Sequence, residues 1–332
     1  MRRRNLLFGL LAVAAMGTAH AQQRGKVHRI AFVHPSHPVA TLTETSPSPV
    51  IGAIFTELSR LGYVEGKNIL IERYSGGGRA WGAPELARDV VRRNPDLIMA
   101  FGTPLTLEFK AATTTIPIVS VFAIPLESGI VPSLARPGGN ITGVSLDIGS
   151  EQWAKRLQLL KQMVPQATRV GRVDSRELRE KTNAGALENC RRFGLTAVGP
   201  PLNRPIDETE YRRLFVALAQ EGAEEIILSD DPENVTNFRL IIELAEKGRL
   251  PAMYPYAMFV KAGGLMSFGV DLREIGGRAA NMIDQILKGA KPGEIPVFQP
   301  TRFPLAINLK TAKALGLTVP PELLATADEV IE

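Results

Sequence analysis

Cysteine is almost absent from this 332-residue chain: Cys190 stands alone, so no disulfide can form within it, and a buried, inert thiol is the expectation. Histidine is nearly as scarce. All four copies, His20, His28, His34 and His37, fall at the N-terminal end. His34 and His37 have an HxxH spacing, but they follow a strand pattern rather than sitting on a helix, with no cysteine or carboxylate close in sequence. A solvated or ligand-lining loop is expected there, not a metal site.

The loops that carry nucleotide or nucleophile chemistry are missing too. There is no Walker A sequence. Gly76-Gly77-Gly78 runs into Arg79-Ala80-Trp81-Gly82 without the G-x-G-x-x-G register of a dinucleotide loop. Gly143-Val144-Ser145-Leu146-Asp147 breaks the G-x-S-x-G elbow at its last position. These absences argue against an enzyme and against a bound cofactor.

An excess of one charge is also lacking: 39 basic against 34 acidic residues give +5. Arg2, Arg3 and Arg4 supply three of those charges, and without them the balance is +2. Nucleic acid is therefore not an expected partner. The same arginines precede an apolar run, Leu6 to Met16, too short to span a bilayer, and Ala19-His20-Ala21 then offers a small-x-small cleavage site. Residues 1–21 read as a signal peptide cleaved after Ala21, leaving Gln22 first. No cysteine follows the apolar run to carry a lipid anchor. The expected product is exported to the periplasm, with no stable membrane insertion.

What is present is an alternation of short β-branched runs and amphipathic windows. Strand patterns cover Arg29–Val33, Ile69–Tyr74, Leu97–Ala100, Ile116–Val121 and Ile141–Ser145, then Arg169–Val173, Leu195–Val198, Glu225–Ser229, Leu265–Val270 and Ile295–Phe298. Most are apolar on both faces, as in parallel sheets covered by helices. Ser48-Pro49 starts a helix whose stripe is Ile51, Ile54, Phe55 and Leu58, closed by Gly62. Asp207 and Glu210 have capping-box spacing, and Phe238, Ile241, Ile242 and Ala245 form a stripe ended by Gly248. Repeated β–α units predict an α/β fold. The length and strand count predict two domains, with a boundary near Asp147–Ser150, where Ser150 could cap a long helix through Val164.

Three segments carry a more specific signal. They are ELSRLGYVEGKNILIERY (Glu57 to Tyr74), TTTIPIV (Thr113 to Val119) with SLARPGGNITGVS (Ser133 to Ser145), and Gly263 to Ile331, which holds GGLMSFGVDL and ILKGAKPGEIPVFQPTRFPLAINLKTAKALGLTVPPELLATADEVI. Together they closely resemble the ABC-transporter substrate-binding proteins of the tryptophan/tyrosine type. That resemblance implies two Rossmann-like lobes of the type I periplasmic-binding-protein kind, with parallel sheets joined by crossover strands. The lobes would be 27–145 plus 271–300, and 146–270 plus 301–332. It implies a monomer that captures an amino acid or related small carboxylate or aromatic compound and delivers it to an inner-membrane ABC permease. A periplasmic sensor of the same fold is the alternative. An exported α/β hydrolase lacks its nucleophile–histidine pair.

In open α/β sheets ligands bind beyond the carboxyl ends of the strands. With two lobes facing each other, the first contributes His34 and Ser36, Gly102 and Thr103, and Ala123 and Ile124; the second contributes Asp174, Asp230, Tyr254, Tyr256, Phe268 and Asp271. Thr103 with helix-start amides suits a carboxylate, and Asp230 or Asp271 an ammonium. Tyr254, Tyr256 or Phe268 could stack on an apolar side chain. Each also has a structural reading: Asp271 stands where a helix cap would, Asp231 before Pro232 where a helix starts, and Tyr254 where core would. The resembled family usually has an aspartate where this chain has Ile124, which implies a different or more apolar ligand.

Overall fold

The computed structural model describes residues 26–77, 84–123, 125–146 and 149–332. The expected leader and its cleavage site, the glycine-triplet loop from Gly78 to Gly82, Ile124 and Asp147 lie outside them.

The first βα series is β1 (His28–His34), α1 (Pro49–Arg60), β2 (Ile69–Ser75), α2 (Pro84–Arg92), β3 (Leu97–Phe101), α3 (Thr103–Ala112), β4 (Ile118–Phe122) and β5 (Ile141–Ser145). A second follows: α4 (Gly149–Met163), β6 (Arg169–Val173), α5 (Arg176–Arg192), β7 (Thr196–Val198), α6 (Glu208–Gln220) and β8 (Glu225–Leu228). It continues through α7 (Pro232–Thr236), α8 (Phe238–Lys247), β9 (Ala252–Tyr254), α9 (Ala257–Lys261) and β10 (Met266–Phe268). The chain ends with α10 (Leu272–Leu287), β11 (Leu305–Asn308), α11 (Leu309–Leu315), α12 (Pro321–Thr326) and β12 (Glu329–Ile331).

These strands form two sheets, ordered β2-β1-β3-β4-β5 and β12-β11-β10-β9-β8-β6-β7. All pairs are parallel except β10 with β11. Every residue of β3, β4 and β5 is buried, which explains their unbroken apolar runs. Alternate residues serve opposite layers: Ile30 and Phe32 pack with Ile51, Ile54 and Ile275, whereas Ala31 and Val33 pack with Ala87, Val90 and Phe109. The fold is thus two α/β lobes.

The helix α10 returns from the second lobe to pack on α1, burying Ile275, Ala279, Ala280 and Ile283 against the α1 stripe of Val50, Ile51, Ile54 and Leu58. Each large aliphatic side chain so buried contributes about 1.5–3 kcal/mol. The helices approach so closely that a Cβ on Gly276 would lie 2.4 Å from the Val50 carbonyl oxygen. Three connections link the lobes: β5 to α4, β10 to α10, and residues 299–304 leading to β11.

Several local expectations change. Ile295–Phe298 is not a regular strand. Pro296 has no N–H, and only Phe298 makes a bridge, to Val144. The short strands β9, β11 and β12 carry no separate strand pattern in the sequence. The Asp207 side chain accepts from the Glu210 amide at 3.0 Å, but Glu210 turns to accept from the Asn203 amide instead, so only half of the capping box forms. Ser48 precedes α1 without a side-chain cap, and Gly62, at φ 90°, follows its end. Ser150 lies inside α4, one residue past its start, rather than ahead of it.

Candidate functional site

β5 runs directly into α4 of the second lobe, and β10 runs directly into α10, which packs on the first. Both crossovers leave from carboxyl ends of strands. Those ends therefore lie on the side where the lobes join, and the candidate residues can be placed there one by one.

On the first lobe, His34 ends β1 as a buried imidazole whose Nδ1 accepts from the amides of Ser36 (3.1 Å) and His37 (2.9 Å). The proton of the neutral ring therefore belongs on Nε2. Burial first, and the neighbouring His37 second, hold His34 well below the usual histidine range. Its ring packs against His37 and Phe101, with centroids 4.3 and 5.0 Å away. Ser36 Oγ is buried and has no hydrogen-bond partner among the described residues. Unsatisfied buried hydroxyls are uncommon, and this one suits a polar group supplied from outside the chain.

Gly102 caps α3 at φ 88°, a left-handed conformation that favours glycine. Thr103 follows, and its hydroxyl donates to the Ala123 carbonyl at 2.6 Å while accepting from the Ala123 amide at 3.1 Å. The single hydroxyl proton of Thr103 is thus committed to fastening α3 to the end of β4. The α3 amides nearest the start, of Thr103 and Leu105, are without intrahelical acceptors, Pro104 between them having no N–H. Ala123 is exposed at the end of β4, and Ile124 lies outside the described residues.

On the second lobe, charge is arranged in two layers. Asp174 is buried between Arg172 and Arg179, with the Arg179 Nε at 2.7 Å. The Asp231 oxygens accept from the Ser175 amide (2.8 Å), the Ser229 hydroxyl (2.8 Å) and the Ser175 hydroxyl (3.3 Å). Burial outweighs these hydrogen bonds and raises Asp231 to about 6. Asp230 differs from both. Its side chain is 28% exposed, and its two oxygens meet Nη1 and Nη2 of Arg156, each at 2.9 Å.

Arg156 is the residue that the sequence reading missed. Its side chain is 0% exposed, and its Nε donates to the Phe268 carbonyl at 2.6 Å. A signal was present: Trp153, Arg156, Leu157, Leu160 and Val164 share one helical face, and an arginine on an apolar stripe needs a buried partner.

The remaining candidates divide. Tyr256 is buried beside Asp230, and burial, reinforced by that carboxylate, pushes its hydroxyl well above the usual range. Tyr254 is 1% exposed and stacks on Phe259 at 5.0 Å, inside the core. Phe268 is half-buried near Phe303. The Asp271 carboxylate caps α10 by accepting from the Arg273 amide at 2.8 Å. The arrangement brings hydrogen-bonding groups and rings to the strand ends, which is the chemistry of holding a small molecule. Among the described residues no group of three His, Cys, Asp or Glu side chains could hold a metal ion.

Comparison with known proteins agrees with this architecture. The family model described as ABC transporter substrate binding protein matches residues 43–331. A tyrosine-binding protein of Clostridioides difficile (strain R20291) is 26% identical over 258 residues, which cover 77% of this chain and 73% of that one. Two solved structures superpose over 92% of this chain and 100% of theirs. A conserved domain protein of Vibrio cholerae has a TM-score of 0.79 at 24% identity. The ABC domain from Streptococcus pneumoniae in complex with L-Trp has 0.78 at 23%.

Proposed function

We propose, from the premise that the chain belongs to the ABC transporter substrate-binding protein family, that it is the periplasmic receptor of an importer and captures an aromatic amino acid or a related small molecule between its lobes. The family consists of solute-binding proteins, not enzymes. The observation that supports the reading is that the crossovers from β5 and β10 leave from strand carboxyl ends, which puts the carboxyl ends of both sheets on the side where the lobes join. Opening and closing about the crossovers would convert occupancy into a shape that the inner-membrane permease recognises.

The ligand chemistry is supported from two sides. One relative is named for tyrosine binding, and one structural neighbour holds L-tryptophan. In this chain, Asp230 is a partly exposed carboxylate fit to accept from an ammonium, and the α3 amides with Ser36 Oγ are fit to donate to a carboxylate. The first lobe in this reading is 27–145 with 271–300, and the second is 146–270 with 301–332.

The test is a thermal-shift screen of residues 22–332 against the L-amino acids, aromatic acids and small carboxylates, followed by calorimetry. A ligand that binds only the folded state at a hundred times its Kd stabilises by about 2.7 kcal/mol. A shift confined to tyrosine, tryptophan or close analogues supports the reading. A shift confined to sugars or to no aromatic compound sinks it.

A further inference from the structure

We propose that Arg156 is a positioning residue of this cleft. It fixes the Asp230 carboxylate in one orientation and ties it to the crossover leaving β10, so that the cleft selects a ligand by the placement of its ammonium. The inference rests on the amino-acid reading given above.

The face of α4 that Arg156 occupies is apolar, formed by Trp153, Leu157 and Leu160. An aliphatic residue at this position would serve packing alone, since well-packed apolar replacements of buried ion pairs are often neutral or stabilising. What the guanidinium adds is geometry. It is planar, and its donors leave in fixed directions. Nη1 and Nη2 each donate to one oxygen of Asp230 at 2.9 Å, a bidentate pairing that prevents the carboxylate from rotating. Nε donates to the Phe268 carbonyl at 2.6 Å, and Nη2 also lies 3.5 Å from the Pro255 carbonyl.

One buried group therefore holds three strand ends. Asp230 follows β8, Pro255 follows β9, and Phe268 closes β10. The site leaves no room for a side chain at Gly269, whose Cβ would meet the Pro255 carbonyl oxygen at 2.0 Å and Arg156 Nη2 at 2.9 Å. Asp271, two residues further on, opens α10 and the path to the first lobe. The group that orients the ligand anchor thus also grips the start of a crossover.

The carboxylate has acceptor capacity left. An ionised carboxylate offers about four lone-pair sites, and the fork engages one on each oxygen. Tyr256 also shares the carboxylate, and the Asp230 side chain remains 28% exposed with the fork in place. Because the pair is formally neutral, it has little long-range pull on cations. A ligand donor gains only when it meets the fixed lone pairs at hydrogen-bonding distance. Lysine at this position would keep the charge but not the fork.

The test uses two pairs of probes that differ only in the ammonium: L-tryptophan with indole-3-propionate, and L-tyrosine with 3-(4-hydroxyphenyl)propionate. Calorimetry is run on the wild type, Arg156→Lys and Asp230→Asn. The wild type should prefer the amino acid of a pair by about tenfold or more. In both variants that preference should fall to within about threefold, while the Kd of the deaminated partner moves by less than about threefold. A purely structural role would weaken both members of a pair in equal proportion, and that result overturns the proposal. So does a preference that survives Arg156→Lys. Should Arg156→Lys not fold, a preference retained in Asp230→Asn, which keeps the arginine in place, is equally fatal. Binding of neither pair by the wild type would instead overturn the aromatic amino-acid reading, and this inference with it.

Discussion

The Tyr63 hydroxyl donates to Asp284 Oδ1 at 3.0 Å, joining the exit of α1 to α10 across 221 positions of sequence. Burial, aided by that carboxylate, raises the Tyr63 phenol to about 12, so the donor is present throughout the ordinary pH range. Tyr63→Phe should cost about 1 kcal/mol of stability. Gly276→Ala should cost more, because the new methyl meets the α1 backbone and pushes the helices apart. Urea melts of the two variants check this ordering, and a neutral Gly276→Ala would count against the packing described.

Glu225 opens β8 fully buried, with neither carboxylate oxygen hydrogen-bonded among the described residues. Burial raises it to about 8. Its folded value therefore lies above its unfolded one, and the folded state holds the extra proton between about 4.5 and 8. Stability should fall as pH climbs through that window and level off above it. Glu225→Gln should remove this slope and gain roughly 3–5 kcal/mol on the wild type at pH 8.5, with little gain at pH 4.5. Parallel stability curves for the two proteins would show that the group is not buried as a neutral acid.

Cys190 is 1% exposed, and burial raises its thiol to about 11. In native buffer at pH 8 it should resist a chromogenic disulfide reagent and react stoichiometrically in denaturant. Fast native labelling would contradict its burial.

Asp271→Ala removes the α10 cap and should cost about 1 kcal/mol, whereas Asp271→Asn should cost much less. If Asp271 anchors the ligand as well, the asparagine variant will lose affinity while keeping stability. Calorimetry beside a denaturant melt separates the two effects.

Export makes a separate prediction. Intact-mass measurement of protein from the periplasmic fraction should give a chain beginning at Gln22, or its cyclised form. A membrane-associated species retaining Met1 would refute the cleavage site.

The centre of the first sheet was legible because β3, β4 and β5 are apolar on both faces, and Leu97–Phe101 lies between Pro95 and Gly102. β9 is three residues long, too short for a period to register, and its place depends on β8 and β10. The strand ends were legible as positions, but their partners were not. Asp174, Asp230 and Asp231 all stand just past strands in the sequence. What separates them is Arg172 with Arg179 for the first, Arg156 for the second, and Ser175 with Ser229 for the third. Side-chain pairing over such separations leaves no local pattern. Ser36 was singled out by its place after β1, and nothing local foretold that its hydroxyl would be left without a partner.

The packing of α10 on α1 also sets an order of events during synthesis. A ribosome delivers β1 to β5 first, yet the apolar stripe of Val50, Ile51, Ile54 and Leu58, covered on one side by Ile30 and Phe32, lacks its other cover until residues 272–287 have emerged. The open edge of β5 waits longer still, for Phe298. The N-terminal half cannot settle into its finished form while the C-terminal half is unmade, unlike chains whose domains mature one after another. A fragment stopped near residue 270 would be left with a half-covered helix and an unpaired sheet edge.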